Sequence, residues 1–250
     1  LDGRKKMHDH MRPGVHGEGT YDEVYKNLKY CVEHRNGEEY YVRGTYTKYN
    51  LDFTTDVLDM VDKGFPELSM EPVIGAEDED YAIHESDLPA VKKEYERLAQ
   101  AYLQRESEKR PFFFFHFNMD LWKGPCLPKR LRGCGAGHEY LAVVPNGDIY
   151  PCHQFVGRDG YVIGNVYSGL KNMKMMKDFR ENHVLNKEEC VGCWAKFFCS
   201  GGCHANNEAF GGDITKPYHL SCEIQRKRIE CALMIQAYHK LHQPETVRGK

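Results

Sequence analysis

Apolar side chains recur at helical spacing through Tyr21, Val24, Tyr25, Leu28, Cys31 and Val32, behind a Thr20/Glu23 pair with capping-box spacing. Asn36-Gly37 then supplies a stop. Residues 39–47 are rich in Tyr, Val and Thr and predict a strand. Asn50 is placed to cap a second helix that runs through Leu58 and Val61 to a Gly64 stop. Residues 67–74 predict a second strand. Asp87-Leu88-Pro89 then opens a third helix, with Val91, Tyr95, Leu98 and Tyr102 on one face. Strands alternating with helices at this pitch imply parallel β/α units. There are too few for a closed barrel, so the expectation is one end of a larger β/α domain.

The pattern changes after about residue 106. Two short strands, 139–144 and 148–150, flank Pro145-Asn146-Gly147, and Asn-Gly is a strong hairpin signal. A further strand is expected within 161–166 and a Met-rich helix over 170–180, where Met173 and Met176 read as packing residues. Residues 188–212, rich in Gly and Cys, read as a loop wrapped around a metal site. A last helix is expected from about Glu223 to Leu241. The division predicted is thus 1–105 and 106–250. Phe112 to Phe117 reads as a buried strand or interdomain wedge, and Glu77-Asp78-Glu79-Asp80 as a solvated loop.

Composition narrows the function. With 34 Lys and Arg against 37 Asp and Glu, the net charge of −3 gives no global pull toward nucleic acid or anionic lipid. The longest aromatic run, Phe112 to Phe115, falls far short of the ~20 apolar residues a membrane span needs. No nucleic-acid or membrane partner is expected. No secretory signal is visible, and a chain opening on Leu1 is expected to be a fragment of a cytoplasmic protein.

The informative residues are the ten cysteines. Cys126, Cys134, Cys152, Cys190, Cys193, Cys199, Cys203 and Cys222 are clustered; Cys31 and Cys231 stand apart and read as small core residues. Disulfides suit small exported domains, which this is not. Zinc favours paired short spacings around one tetrahedral ion. Iron–sulfur clusters accept four thiolates at irregular spacing. Eight cysteines would fill two such sites with either metal. Cys203-His204 lacks the C-x-x-C-H spacing of covalent haem, since Ser200, Gly201 and Gly202 separate it from Cys199. By sequence order, Cys190, Cys193, Cys199 and Cys203 form one set and Cys126, Cys134, Cys152 and Cys222 the other. The ferredoxin precedent, in which the fourth cysteine of a run serves the other cluster, leaves a second partition open. His153 and His204 adjoin candidate ligands but read as surface or packing histidines.

Cys190-x2-Cys193-x5-Cys199-x3-Cys203 with Cys222, together with Cys134 and Pro145-Asn146-Gly147-Asp148-Ile149-Tyr150-Pro151-Cys152, resembles the C-terminal SPASM domain of radical S-adenosylmethionine (SAM) enzymes. Residues 133–157 look most like the maturases of SCIFF peptides. Arg43-Gly44-Thr45, Asn50-Leu51-Asp52-Phe53 and Glu71-Pro72-Val73 resemble the later barrel strands of those maturases. Leu1-Asp2-Gly3-Arg4, with His8-Asp9 and Arg12, resembles the segment at the fourth strand. The C-x3-C-x2-C loop that defines the family does not occur here.

The resemblance implies an α/β fold: the C-terminal part of a partial radical SAM barrel (1–105), then a SPASM domain with a hairpin and metal-binding loops (106–250). It implies two auxiliary 4Fe–4S clusters in this chain, a third cluster and SAM in the missing front half, and no activity for this chain alone. The implied partition is Cys190, Cys193, Cys199 and Cys222 on the distal cluster, with Cys134, Cys152, Cys203 and Cys126 on the proximal one. Cys126 lies eight positions before Cys134, a longer gap than the resemblance leads one to expect. Without Cys126, one iron would stay open to a substrate cysteine. Arg43 and Glu71 fall on barrel strands, where inward polar groups would contact SAM or peptide or pair structurally. The implied reaction begins with a 5′-deoxyadenosyl radical taking a hydrogen atom from a peptide residue. A thioether then forms to a cysteine sulfur. The implied partners are a Cys-rich precursor peptide and an electron donor such as ferredoxin or flavodoxin. Related SPASM enzymes oxidise sulfatase residues, make carbon–carbon crosslinks or epimerise residues. A zinc-stabilised binding module is the reading from another class.

Overall fold

A computed structural model describes residues 1–35, 39–75, 78–119 and 126–242. The expected Asn36-Gly37 stop, Glu77 of the acidic run, and Gly124-Pro125 before Cys126 lie outside them. The chain divides into two compact units, Leu1–Met119 with Lys227–Lys250, and Asp120–Arg226.

The first unit is built from α1 (Lys5–Met11), α2 (Tyr21–His34), β1 (Val42–Tyr46), α3 (Phe53–Asp62), β2 (Glu67–Pro72), α4 (Leu88–Ser107) and β3 (Phe113–Phe114). Its three strands form a parallel sheet in sequential order, with Val42 opposite Leu68 and Leu68 opposite Phe114. Strand alternation decides the faces. Val42, Gly44, Tyr46, Leu68 and Met70 go to one side, and Val42, Tyr46, Leu68 and Met70 are buried core residues. Arg43, Thr45, Ser69 and Glu71 share the other. Tyr46 stacks on Phe53 and its hydroxyl meets that of Tyr95, 3.2 Å away, joining strand, α3 and α4 in one apolar layer. The Phe112–Phe117 segment supplies β3 and a following turn, and Phe112, Phe114 and Phe117 are buried.

Three local expectations for this unit need correction. Thr20 makes no side-chain cap; its hydroxyl donates instead to the Arg12 carbonyl at 2.6 Å. Asn50 does not cap α3. Its carbonyl accepts the Thr47 N–H, its amide donates to Asp56, and the Thr54 N–H at the start of α3 is satisfied by Glu94 from α4. Cys31 is exposed rather than core, because α2 fully buries only its first residue, Tyr21.

The second unit contains α5 (Leu127–Arg132), β4 (Ala142–Val143), β5 (Asp148–Tyr150), β6 (Gly164–Asn165), β7 (Gly169–Leu170), α6 (Met173–Glu181), α7 (Glu188–Val191), α8 (Lys196–Cys199), α9 (His204–Gly211) and the start of α10 (His219–His242). Its strands form an antiparallel sheet in sequential order. The β4–β5 hairpin turns at the expected place. Gly147 takes φ +89, a left-handed conformation glycine adopts without strain, and the Asn146 side chain accepts the Asp148 N–H. Ala136, Tyr150, Cys152, Phe155, Phe179 and Ala205 form the core beneath it. Met176 packs as expected; Met173 does not, and is exposed at the first position of α6. The stretch read as a loop, 188–212, carries the short helices α7, α8 and α9. Their apolar positions are too few for a periodic signal, and the turns between them rather than propensity set their ends.

Candidate metal-binding site

Burial and backbone geometry sort the clustered cysteines. Cys190, Cys193, Cys199 and Cys222 line one cavity of about 60 Å³, with Ala195, Gly201 and Pro217 in its wall and Glu189, Lys196, His219, Gln225 and Arg226 also lining it. Four elements place these thiols. Cys190 sits in α7, whose first turn closes through its own N–H to the Lys187 carbonyl at 2.9 Å. The Cys193 N–H returns to the Cys190 carbonyl at 3.0 Å, folding the C-x2-C pair into one turn. Cys199 ends α8, and Cys222 is carried by the first turn of α10. Cys152 follows the hairpin directly, and it lies within electrostatic reach of Cys203 and Cys134. The hairpin thereby returns the chain so that cysteines 18 positions apart become neighbours.

The turn after α8 is the most specific local feature. Ser200, Gly201 and Gly202 all take left-handed φ, at +62, +84 and +76. A tight turn of this kind brings successive backbone N–H groups close to the preceding side chain. Here the Gly201 and Gly202 N–H groups lie where they favour the Cys199 thiolate, and those of Gln154 and Phe155 where they favour the Cys152 thiolate. Such donors favour the thiolate, while burial opposes it. Burial wins in the free protein. It raises the Cys190 and Cys199 thiols and pushes Cys222 up to about 12, so these groups stay protonated until a metal displaces the proton. Among the described residues, no three His, Cys, Asp or Glu side chains converge to hold a single metal ion. Four thiols in one cavity, with backbone N–H groups close to the sulfurs, are a donor set that fits an iron–sulfur cluster.

The remaining expected residues are placed as follows. Cys126 is exposed at the start of α5. Cys231 is buried in α10, in the first unit. His153 is exposed against the Tyr140 hydroxyl at 3.0 Å. His204 is a packing histidine, edge-on to Phe179 and 3.1 Å from the Asn182 amide, and burial lowers it to about 4. In the first unit, Arg43 is exposed on β1 and Glu71 lies near the C-terminal end of β2, on the same sheet face but not on paired positions. Glu71 contacts Arg228 at 3.1 Å and His116 at 2.9 Å, and Arg228 also reaches the Nδ1 of His116. His116 and Arg228 were missed by sequence reasoning, as was Lys187 beside the thiols. Nothing in the local pattern distinguishes them from surface residues.

Residues 134–194 match the SPASM family model, described as an iron–sulfur cluster-binding domain. A comparison with curated proteins finds no match. Among solved structures, native anSMEcpe with bound AdoMet and Kp18Cys peptide is similar at a TM-score of 0.73 and 17% identity, over 96% of this chain and 68% of that one. Native anSMEcpe with bound AdoMet gives 0.74 and 17% over the same shares. Streptococcus suis SuiB bound to S-adenosylmethionine gives 0.49 and 18%, over 80% of this chain and 48% of that one. The anSMEcpe likeness establishes the fold: an α/β unit with a parallel sheet, followed by a SPASM region with an antiparallel sheet. This chain spans about two thirds of the anSMEcpe length. No helix among the described residues is long and apolar enough to cross a membrane.

Proposed function

We propose that this chain is part of a cytoplasmic radical SAM peptide maturase whose SPASM region, within 106–250, holds two auxiliary 4Fe–4S clusters. The observation that carries this reading is the SPASM match at 134–194, which takes in Cys134, Cys152, Cys190 and Cys193, together with a cavity lined by the thiols of Cys190, Cys193, Cys199 and Cys222. Cys190, Cys193, Cys199 and Cys222 hold the distal cluster. Cys134, Cys152 and Cys203 hold the proximal one, with Cys126 as its fourth ligand. When bound, the clusters would supply one-electron transfer.

The chain's own groups do the rest. The left-handed turn at residues 200–202 sets the direction of the chain after Cys199, and the Arg226 side chain lies close enough to Cys193 to favour its thiolate. The β4–β5 hairpin fixes Cys152. Residues 1–105 contribute strands of the SAM barrel. Glu71, near the C-terminal end of β2, acts mainly through its pairing with Arg228 and His116; Arg43 is exposed but stands near the N-terminal end of β1, away from the strand ends where SAM or peptide would be met. In the whole protein, the product is a thioether between a cysteine sulfur and a carbon of a Cys-rich precursor peptide, with electrons exchanged through a ferredoxin- or flavodoxin-type donor. A second reading keeps the architecture and changes the reaction to oxidation, carbon–carbon crosslinking or epimerisation. It draws on the fold shared with anSMEcpe, whose solved complexes hold peptides.

Anaerobic reconstitution tests the cluster reading. Brown protein with iron and sulfide for two clusters is expected; colourless protein with stoichiometric zinc overturns it. The reaction is tested with the full-length protein, SAM, a reductant and a Cys-rich peptide. Thioether formation removes two hydrogens and one alkylatable thiol. Loss of the hydrogens with every thiol still alkylatable favours carbon–carbon crosslinking, and an inverted residue at unchanged mass favours epimerisation; both belong to the second reading.

A further inference from the structure

Lys187 is fully buried at 1% exposure, the one lysine so enclosed among the described residues. Its ammonium donates to the Gly201 carbonyl at 2.7 Å, its one hydrogen-bond partner among those residues. That carbonyl also accepts from the Asn207 amide. An ammonium has three donors and a full charge, and a shared carbonyl satisfies neither need. No carboxylate forms an ion pair with it among the described residues. Asp213 feels its charge only as the weakest of five influences, and His204, which also feels it, is neutral. The side chain thus reaches the glycine turn that directly follows Cys199. A Cβ on Gly201 would stand 3.2 Å from the Lys187 Nζ, so the glycine allows this approach. Burial draws the ammonium below the ordinary lysine range, and the groups that oppose this are the sulfurs of Cys190, Cys199, Cys222 and Cys203, in falling order of influence. They come from both thiol sets, the distal one dominating.

A buried cation without a counter-charge is strongly unfavourable, and thiolates around a cluster would supply that charge. Resting on the cluster reading above, we propose that Lys187 is the internal counter-charge of the cluster held by Cys190, Cys193, Cys199 and Cys222, and that it raises that cluster's reduction potential. Reduction adds one electron, and hence one negative charge, to the cluster. A fixed cation stabilises the reduced form more than the oxidised one. The cluster that includes Cys203 feels the same charge more weakly. Lys187 is a positioning residue of electrostatic kind; it touches no reacting atom.

The test uses the whole chain, reconstituted anaerobically, as wild type, Lys187→Gln and Lys187→Arg. Gln keeps a donor for the Gly201 carbonyl without the charge; Arg keeps the charge. Iron and sulfide are counted, and each cluster is titrated with dithionite while its EPR signal is followed. Gln is expected to lower the distal cluster's reduced-to-oxidised ratio at least tenfold at fixed potential, about 59 mV for one electron, with a smaller shift for the proximal cluster. Arg should stay within threefold of wild type. Loss of the clusters from the Gln variant but not from the Arg variant also supports the proposal, because the charge is then needed for loading. Gln shifting the distal cluster less than threefold, shifting it upward, or shifting it no further than Arg does overturns the proposal and leaves the cluster reading standing. So does loss of clusters from both variants, which marks a packing role. A wild-type chain that takes up no iron and sulfide overturns both.

Discussion

Glu71→Gln isolates the buried polar knot at the C-terminal edge of the parallel sheet. The substitution keeps shape and removes one charge, leaving Arg228 buried with its guanidinium uncompensated. Two unit charges 3.1 Å apart attract by about 5 kcal/mol at an effective dielectric of about 20. Glu71 is 27% exposed, which screens part of this. Removing one member of a buried pair costs about 3–5 kcal/mol, and the lower end, about 3 kcal/mol, applies here. The Arg228 Nε already lacks a partner among the described residues, and the His116 Nε2, though near Glu71, is not aligned for a hydrogen bond. Little in the knot can absorb the freed charge. Amide hydrogen exchange read by mass spectrometry on residues 67–72 reports opening of this unit separately from the other. At about 1.4 kcal/mol per factor of ten, exchange should accelerate roughly 100-fold. The double variant Glu71→Gln/Arg228→Met should recover most of the loss, since the unpaired charge goes with the arginine. An acceleration below tenfold in the single variant, or a double variant as labile as the single, refutes the reasoning.

Ligand partition can be read from iron content. Cys190→Ala/Cys222→Ala should lose no more iron than Cys190→Ala alone, whereas Cys190→Ala/Cys203→Ala should lose both clusters; the reverse pattern restores the sequence-order partition. Cys126→Ala tests the closed proximal site, with loss of iron and of redox stability expected if Cys126 is the fourth ligand, and unchanged iron content showing that it is not. His8 is buried, accepts the Asp2 N–H, and is held by burial below the ordinary imidazole range. Its unfolded form therefore takes a proton first as pH falls below about 6.5, so this stability is full above that value and is lost on acidification. Exchange in residues 5–11 should accelerate between pH 7 and 5 after correction for intrinsic rates, and less so in His8→Gln. Asp56, wholly buried, accepts from Arg4 at 2.7 Å and Asn50 at 2.9 Å, and Asp56→Asn should destabilise the first unit by about 3 kcal/mol, measured by the same exchange method.

The sequence by itself carried what short-range chemistry fixes. Enrichment in Tyr, Val and Thr placed β1, Asn146-Gly147 placed the hairpin, and cysteine spacing marked the metal-binding region, because each depends on residues close together in the chain. Caps were legible only as candidates. Thr20 and Asn50 have the right chemistry, but Arg12 and Asp56 compete for them, and Glu94, 40 residues from Thr54, caps α3 instead. Helices α7 to α9 escaped because four- to eight-residue turns have no period to detect.

Spacing left two ligand partitions open, since nothing in the C-x2-C-x5-C-x3-C run says which way a sulfur points. The tertiary structure brings Cys222 to the cavity of Cys190, Cys193 and Cys199 and places Cys203 near Cys152. Backbone direction through three left-handed residues, 200–202, separates Cys199 from Cys203, and only the folded chain contains that information. The same holds for Lys187 and Arg228. A lysine or arginine in sequence is a surface residue by default, and only enclosure by distant segments turns its charge into something the site must answer.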